Sequence, residues 1–157
     1  MKSIQGFTLF ELIVVIVIIA ILSILAIPAM STFLLKQNLN ASTRDLVIAL
    51  EKARSKAALD RRSVTISLNS SSADTDSTLN WTASGKATLV STTTAIVFRS
   101  DGLVQDPTTT TSPLSSDLTL VLCDQTQVNA KYSKKIILSR MGTVQQGDLV
   151  TGGCSAS

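Results

Sequence analysis

The sequence predicts an α+β protein, with one long N-terminal helix packed on antiparallel β-sheet. Three observations predict it. Residues 12–35 form an apolar run broken by little more than small hydroxyls and one proline. From Leu39 to Ala58 the apolar residues recur at helical spacing. From Ser63 onward the pattern shifts to short alternating or apolar stretches separated by turn residues. The chain has 157 residues, which allows one modest domain once the apolar head is set aside.

The head comes first. At 1.5 Å rise per residue, residues 12–35 make ~36 Å of helix, enough to cross a hydrocarbon core of ~30 Å. Val14, Val15, Ile16, Val17, Ile18 and Ile19 are β-branched and weak helix formers in water. In lipid the helix is required anyway, because each backbone N–H and C=O must find its partner within the segment. Pro28 lacks a backbone donor and is expected to kink the helix around residues 23–25. A cleaved secretory signal fits less well, since the run is too long and a proline stands in the small-residue window 26–29. One carboxylate, Glu11, lies just inside the run, and the only earlier side-chain cation is Lys2. A carboxylate near a bilayer centre costs on the order of 2.5–3.5 kcal/mol, so a partner from outside the segment is expected.

Beyond the head, Leu39, Leu46, Val47, Leu50, Ala53, Arg54, Ala57 and Ala58 fall near one side of a helix, with Asn40, Arg44, Glu51, Lys52, Ser55, Lys56 and Asp60 on the other. The helix is expected to end at Asp60-Arg61-Arg62-Ser63, with basic residues complementing its dipole. Its whole length is then ~80 Å. Val64, Ile66 and Leu68 alternate with Thr65 and Ser67, a half-buried strand. Residues 79–82 and 87–90 read as short strands around a Ser84-Gly85 turn. Residues 95–99 form another, followed by Ser100-Asp101-Gly102, and 118–123 and 135–139 are further strands. The polar stretches 69–77 and 105–117 read as surface loops.

Composition excludes several functions. There is no histidine, which removes the usual general base and the commonest metal ligand. Two cysteines alone cannot make a four-ligand zinc site. No glycine-rich phosphate loop is present. The residues therefore predict neither an enzyme nor a cofactor or metal site. A net charge of +3 falls well short of a dedicated nucleic-acid binder. Cys123 and Cys154, in a chain whose head enters a membrane, are expected to form one disulfide in an exported domain.

Lys2, then Gly6, then Phe7-Thr8-Leu9-Phe10-Glu11 and an apolar helix resemble the head of type IV prepilins and of the related type II secretion pseudopilins. The family usually has Ile or Val where this chain has Phe10, which is still apolar. The stretch Ile96-Val97-Phe98 with Asp101-Gly102, and later Ile136-Ile137-Leu138-Ser139-Arg140-Met141-Gly142-Thr143-Val144, is similar to the soluble domain of FimT/FimU-type minor pilins and the H-type minor pseudopilin. The resemblance implies a pilin-like fold with a leader (1–6), a transmembrane half-helix (7–35), an amphipathic half-helix (36–62) and a periplasmic β domain (63–157). It implies that a prepilin peptidase cuts between Gly6 and Phe7 and methylates the new amine of Phe7, and that Glu11 serves subunit assembly. The implied function is that of a minor type IV pilin in a priming or tip complex, supporting pilus biogenesis, with twitching motility or DNA uptake as the processes served. The implied partners are other minor and major pilins and the inner-membrane assembly platform. The implied location is the bacterial inner membrane, in a single pass, and then the pilus.

Two alternatives share the same head. One is a minor pseudopilin of type II secretion. The other is a DNA-binding minor pilin for natural transformation, with Lys131, Lys134, Lys135 and Arg140 as the contacts. No basic residue follows Arg140, which weighs against DNA capture.

Overall fold

The computed structural model describes residues 7–106, 112–152, 154 and 155, and among these the side chains of all but 25–29. The chain divides into two units, Met1–Leu34 and Leu35–Ser157. Helix α1 spans Leu9–Asp60 and is continuous through Pro28. Among the described residues seven strands come after it: β1 (Val64–Leu68), β2 (Thr78–Trp81), β3 (Thr88–Val90), β4 (Ala95–Phe98), β5 (Leu118–Cys123), β6 (Tyr132–Leu138) and β7 (Val144–Thr151). A short 3-10 turn, Gln127–Asn129, precedes β6.

The α+β class stands, and the strands form two sheets. One has the order β2-β1-β4 and the other β3-β5-β6-β7. The four-stranded sheet is antiparallel throughout. In the other, β1 pairs antiparallel with β4 but parallel with β2. The turn at Ser84-Gly85 therefore does not close a hairpin, because β2 and β3 belong to different sheets. Gly85 instead serves the helix. Its φ of +63° is a left-handed conformation, and a Cβ there would run into the side chain of Asn38. The Ser84 N–H donates to Ser42 Oγ at 2.9 Å, which pins the same turn to α1.

The second part of α1 buries Leu39, Leu46, Leu50, Ala53 and Ala57 against both sheets. They meet Val64, Ile66, Leu79, Trp81, Ile96 and Phe98 from one sheet and Leu120, Leu122, Ile136 and Leu138 from the other. Ala58, expected on this stripe, is exposed, while Ser42 and Thr43 are buried. Both hydroxyls are satisfied. Ser42 accepts the Ser84 amide, and Thr43 Oγ1 donates to the Leu39 carbonyl at 2.7 Å. That is the condition for burying a polar group cheaply.

The helix ends without a basic last turn. Arg61 instead takes a left-handed conformation, φ +49°, and the Arg62 N–H reaches back to the Ala57 carbonyl at 3.3 Å. This is a Schellman ending, in which backbone geometry rather than side-chain charge stops the helix. Arg62 then donates to the Asp76 carbonyl at 2.8 Å and tethers the 69–77 loop.

Two similar turns meet on α1. In one, the Gly102 N–H donates to the Arg99 carbonyl at 2.9 Å; in the other, the Gly142 N–H donates to the Ser139 carbonyl at 2.8 Å. The Val104 N–H donates to the Arg140 carbonyl at 3.1 Å and joins them. Gly142 has φ +76°, and a Cβ on it would lie 2.7 Å from the Gly102 carbonyl oxygen and 2.9 Å from Arg54 Cδ. A left-handed conformation costs an ordinary residue roughly 1–2 kcal/mol before any clash. Gly142→Ala is therefore expected to destabilise the domain by about 2–3 kcal/mol, read as a lowered thermal midpoint. An unchanged midpoint would show that the two turns are free to separate.

Candidate assembly interface

The first unit is built from a helix start. Thr8 precedes α1, and its Oγ1 accepts the Glu11 N–H at 3.2 Å while its carbonyl accepts the Leu12 N–H at 3.2 Å. Thr8-Leu9-Phe10-Glu11 thus has the T-x-x-E pattern of a capping box, with Glu11 as the third helical residue. A carboxylate there also complements the positive end of the helix dipole. Among the described residues the Glu11 carboxylate has no hydrogen-bond or ion-pair partner, and the side chain is exposed.

Past Glu11 the helix is apolar on every side. The large apolar side chains from Phe7 to Ile24 are all exposed, from 39% at Val14 to 86% at Phe7. A helix that is apolar all round belongs inside a bilayer or a bundle of like helices. The one hydroxyl between Glu11 and Ile24, Ser23, donates to the Ile19 carbonyl at 2.7 Å and is satisfied within the helix. Among the described residues no helix is long and apolar enough to cross a membrane. The expected crossing over 7–35 includes 25–29, whose side chains lie outside the description, and this holds for the Pro28 kink as well. Gly6, on the leader side of the expected cut, also lies outside the described residues, whereas Phe7 lies within them.

Cys123 and Cys154 are joined by a disulfide with a Cα–Cα distance of 6.0 Å. Both are buried, in a small apolar cluster with Val121, Val90 and Ala130. The four cations read as a possible DNA contact are spread out. Lys131 precedes β6, Lys134 and Lys135 lie within it, and Arg140 sits in the turn beyond it. At ~3.3 Å per residue, Lys131 and Arg140 are roughly 30 Å apart. Among the described residues no group of three or more His, Cys, Asp or Glu side chains gathers as a metal site.

The Thr8 cap is absent from the expectations drawn from sequence, although the T-x-x-E spacing is a sufficient signal. The meeting of the two glycine turns is absent too, because no local pattern says which turns become neighbours.

An apolar helix ahead of an α+β domain, whose two sheets cover the second half of that same helix, defines a subunit of the pilin or pseudopilin type. Residues 1–27 match the prokaryotic N-terminal methylation motif, and residues 42–142 match the family described as type II transport protein GspH. The chain belongs to that family and is a type IV minor pilin-like protein. In fold it is similar to the type IV minor pilin FimU of Pseudomonas aeruginosa (strain PAO1), with a TM-score of 0.51 and 15% identity over 72% of this chain and 90% of that one. No curated protein matches the chain in sequence.

Proposed function

We propose that the chain is a minor type IV pilin, a structural and non-catalytic subunit of a pilus priming or tip complex. A prepilin peptidase removes residues 1–6 and methylates the amine of Phe7. The helix from Phe7 holds the protein in the inner membrane, with the β domain in the periplasm, until the assembly platform draws it into the fibre beside other pilins. One observation carries this reading: an exposed apolar surface from Phe7 to Ile24 holding at its start a single carboxylate that has no partner among the described residues. Such a surface is stable only when lipid or neighbouring helices cover it. The carboxylate is then best neutralised by the amine that cleavage creates on an adjacent subunit.

A second reading, a minor pseudopilin of type II secretion, is favoured by the family match over 42–142. One experiment separates them. A strain lacking the gene is complemented with the wild-type chain or with Gly6→Ser. Surface fibres are expected to return with the wild type only, with the Gly6→Ser product retaining its leader and secreted proteins exported normally throughout. Normal fibres with secretion substrates trapped in the periplasm would assign the chain to the secretion machine.

A further inference from the structure

One end of the four-stranded sheet is organised differently from the rest of the surface. The register aligns Thr88, Cys123, Ser133 and Val150 across β3, β5, β6 and β7. Beyond that line lie the turn before β3, the loop between β5 and β6, and the tail after β7. The first helical residues of this unit close the same rim. Lys36 Nζ sits 4.3 Å above the ring of Tyr132, and the Gly85 turn abuts Asn38. The loops are tied together: Thr88 Oγ1 donates to the Gln125 carbonyl at 3.0 Å, the Gly152 N–H to the Lys131 carbonyl at 3.1 Å, and the disulfide clamps the tail to β5.

The rim carries Lys36, Lys86 and Lys131, none with a carboxylate partner among the described residues. Among the described residues the rim has one acid, Asp124, which is fully buried and accepts the Lys131 N–H on Oδ1 at 3.0 Å, so the lysines outnumber it. In the same loop as Lys131 stands Val128, 95% exposed in the middle of the 3-10 turn. An exposed apolar side chain on a rim whose segments carry lysines suits contact with an anionic lipid interface. Lys36 directly follows the apolar run 12–35 in the sequence.

We propose that this rim is a lipid-contact surface, on which Lys36, Lys86 and Lys131 meet anionic phospholipid headgroups and Val128 enters the interfacial layer. The proposal rests on the proposed function, in which the preceding helix anchors the chain in the bilayer. It gives the waiting subunit a docked state that must be released when the subunit leaves for a fibre.

The test uses the full chain reconstituted in nanodiscs of phosphatidylcholine alone or in a roughly 2:1 mixture with phosphatidylglycerol. Amide hydrogen exchange over 125–132 is expected to slow about tenfold or more in the anionic discs, since each lysine near such a surface is worth roughly a fivefold preference. The protection is expected to vanish at about 1 M salt, where the Debye length is ~3 Å. It is also expected to vanish in the triple variant Lys36→Gln, Lys86→Gln, Lys131→Gln and in Val128→Asp; residues 86, 128 and 131 are exposed and Lys36 is half-buried beside Tyr132, so the double variant Lys86→Gln, Lys131→Gln, expected to lose most of the protection, is measured alongside. Equal exchange in the two kinds of disc, or protection that survives the triple substitution, overturns the proposal while leaving the anchor intact. A chain that does not enter the discs at all overturns both.

Discussion

Replacing Glu11 with alanine is expected to leave the chain in the membrane fraction and to reduce its amount in sheared fibres at least tenfold. The carboxylate has no partner among the described residues of its own chain, and it opens a helix that is apolar all round. If a neighbour's amine neutralises it in the fibre, deletion leaves that amine alone in an apolar setting, at a cost of roughly 2.5–3.5 kcal/mol. Every 1.4 kcal/mol is a factor of ten in an equilibrium, so a cost of that size suffices. The helix start offers a competing role, because Glu11 also occupies the third position of a capping box. Thr8→Ala separates the two. It removes the cap, worth about 1 kcal/mol, and leaves the charge. Glu11→Gln keeps shape and hydrogen bonding and removes the charge. Fibre incorporation should fall with Glu11→Gln and persist with Thr8→Ala. The reverse pattern would make Glu11 a helix-starting residue and nothing more.

The second large effect concerns the disulfide. It joins positions 31 residues apart and holds a tail whose other backbone tie is the Gly152–Lys131 hydrogen bond. Loop-closure entropy for that separation gives about 3–4 kcal/mol. Cys123→Ala with Cys154→Ala is expected to lower the thermal midpoint of the full chain by roughly 10 °C or more. Reducing the wild type should reproduce the shift, since the same constraint is lost without a change of sequence. A midpoint within about 2 °C of wild type would mean that the closed loop adds little. Alkylation of both cysteines in unreduced protein would show that the bridge is absent.

The elements are more legible in the sequence than their pairings. Val64, Ile66 and Leu68 are buried in alternation as expected, because β1 has one face on the core. The bounds of β5 are plain because Asp117 and Asp124 flank an apolar run. β7 is recognisable only at its start. Its eight residues are nearly all exposed, so no burial pattern is imprinted on Val144-Gln145-Gln146-Gly147-Asp148-Leu149-Val150-Thr151. The turn at Ser84-Gly85 is visible, but a turn signal is local and does not say whether the strands beside it pair. Ser42 and Thr43 read as polar surface and are buried, because their hydroxyls serve the Ser84 amide and the Leu39 carbonyl. At the candidate interface, Glu11 stands out in the sequence as the lone carboxylate of the apolar head and Phe7 is marked only by the family resemblance, whereas the rim around Lys36 and Tyr132 needs the three-dimensional register of the strands. The cations 131, 134, 135 and 140 look contiguous in sequence, and an extended strand draws such neighbours out along its length.

The chain visits its two sheets alternately: β1 and β2 in the first, β3 in the second, β4 back in the first, and β5 to β7 in the second. As the polypeptide is made from its amino end, β3 must wait for β5 before it has any neighbour in its sheet. Neither layer is complete without material made after the other has begun. The domain therefore has no internal seam between its two layers at which it can be split or shuffled, and both must be inherited and folded together.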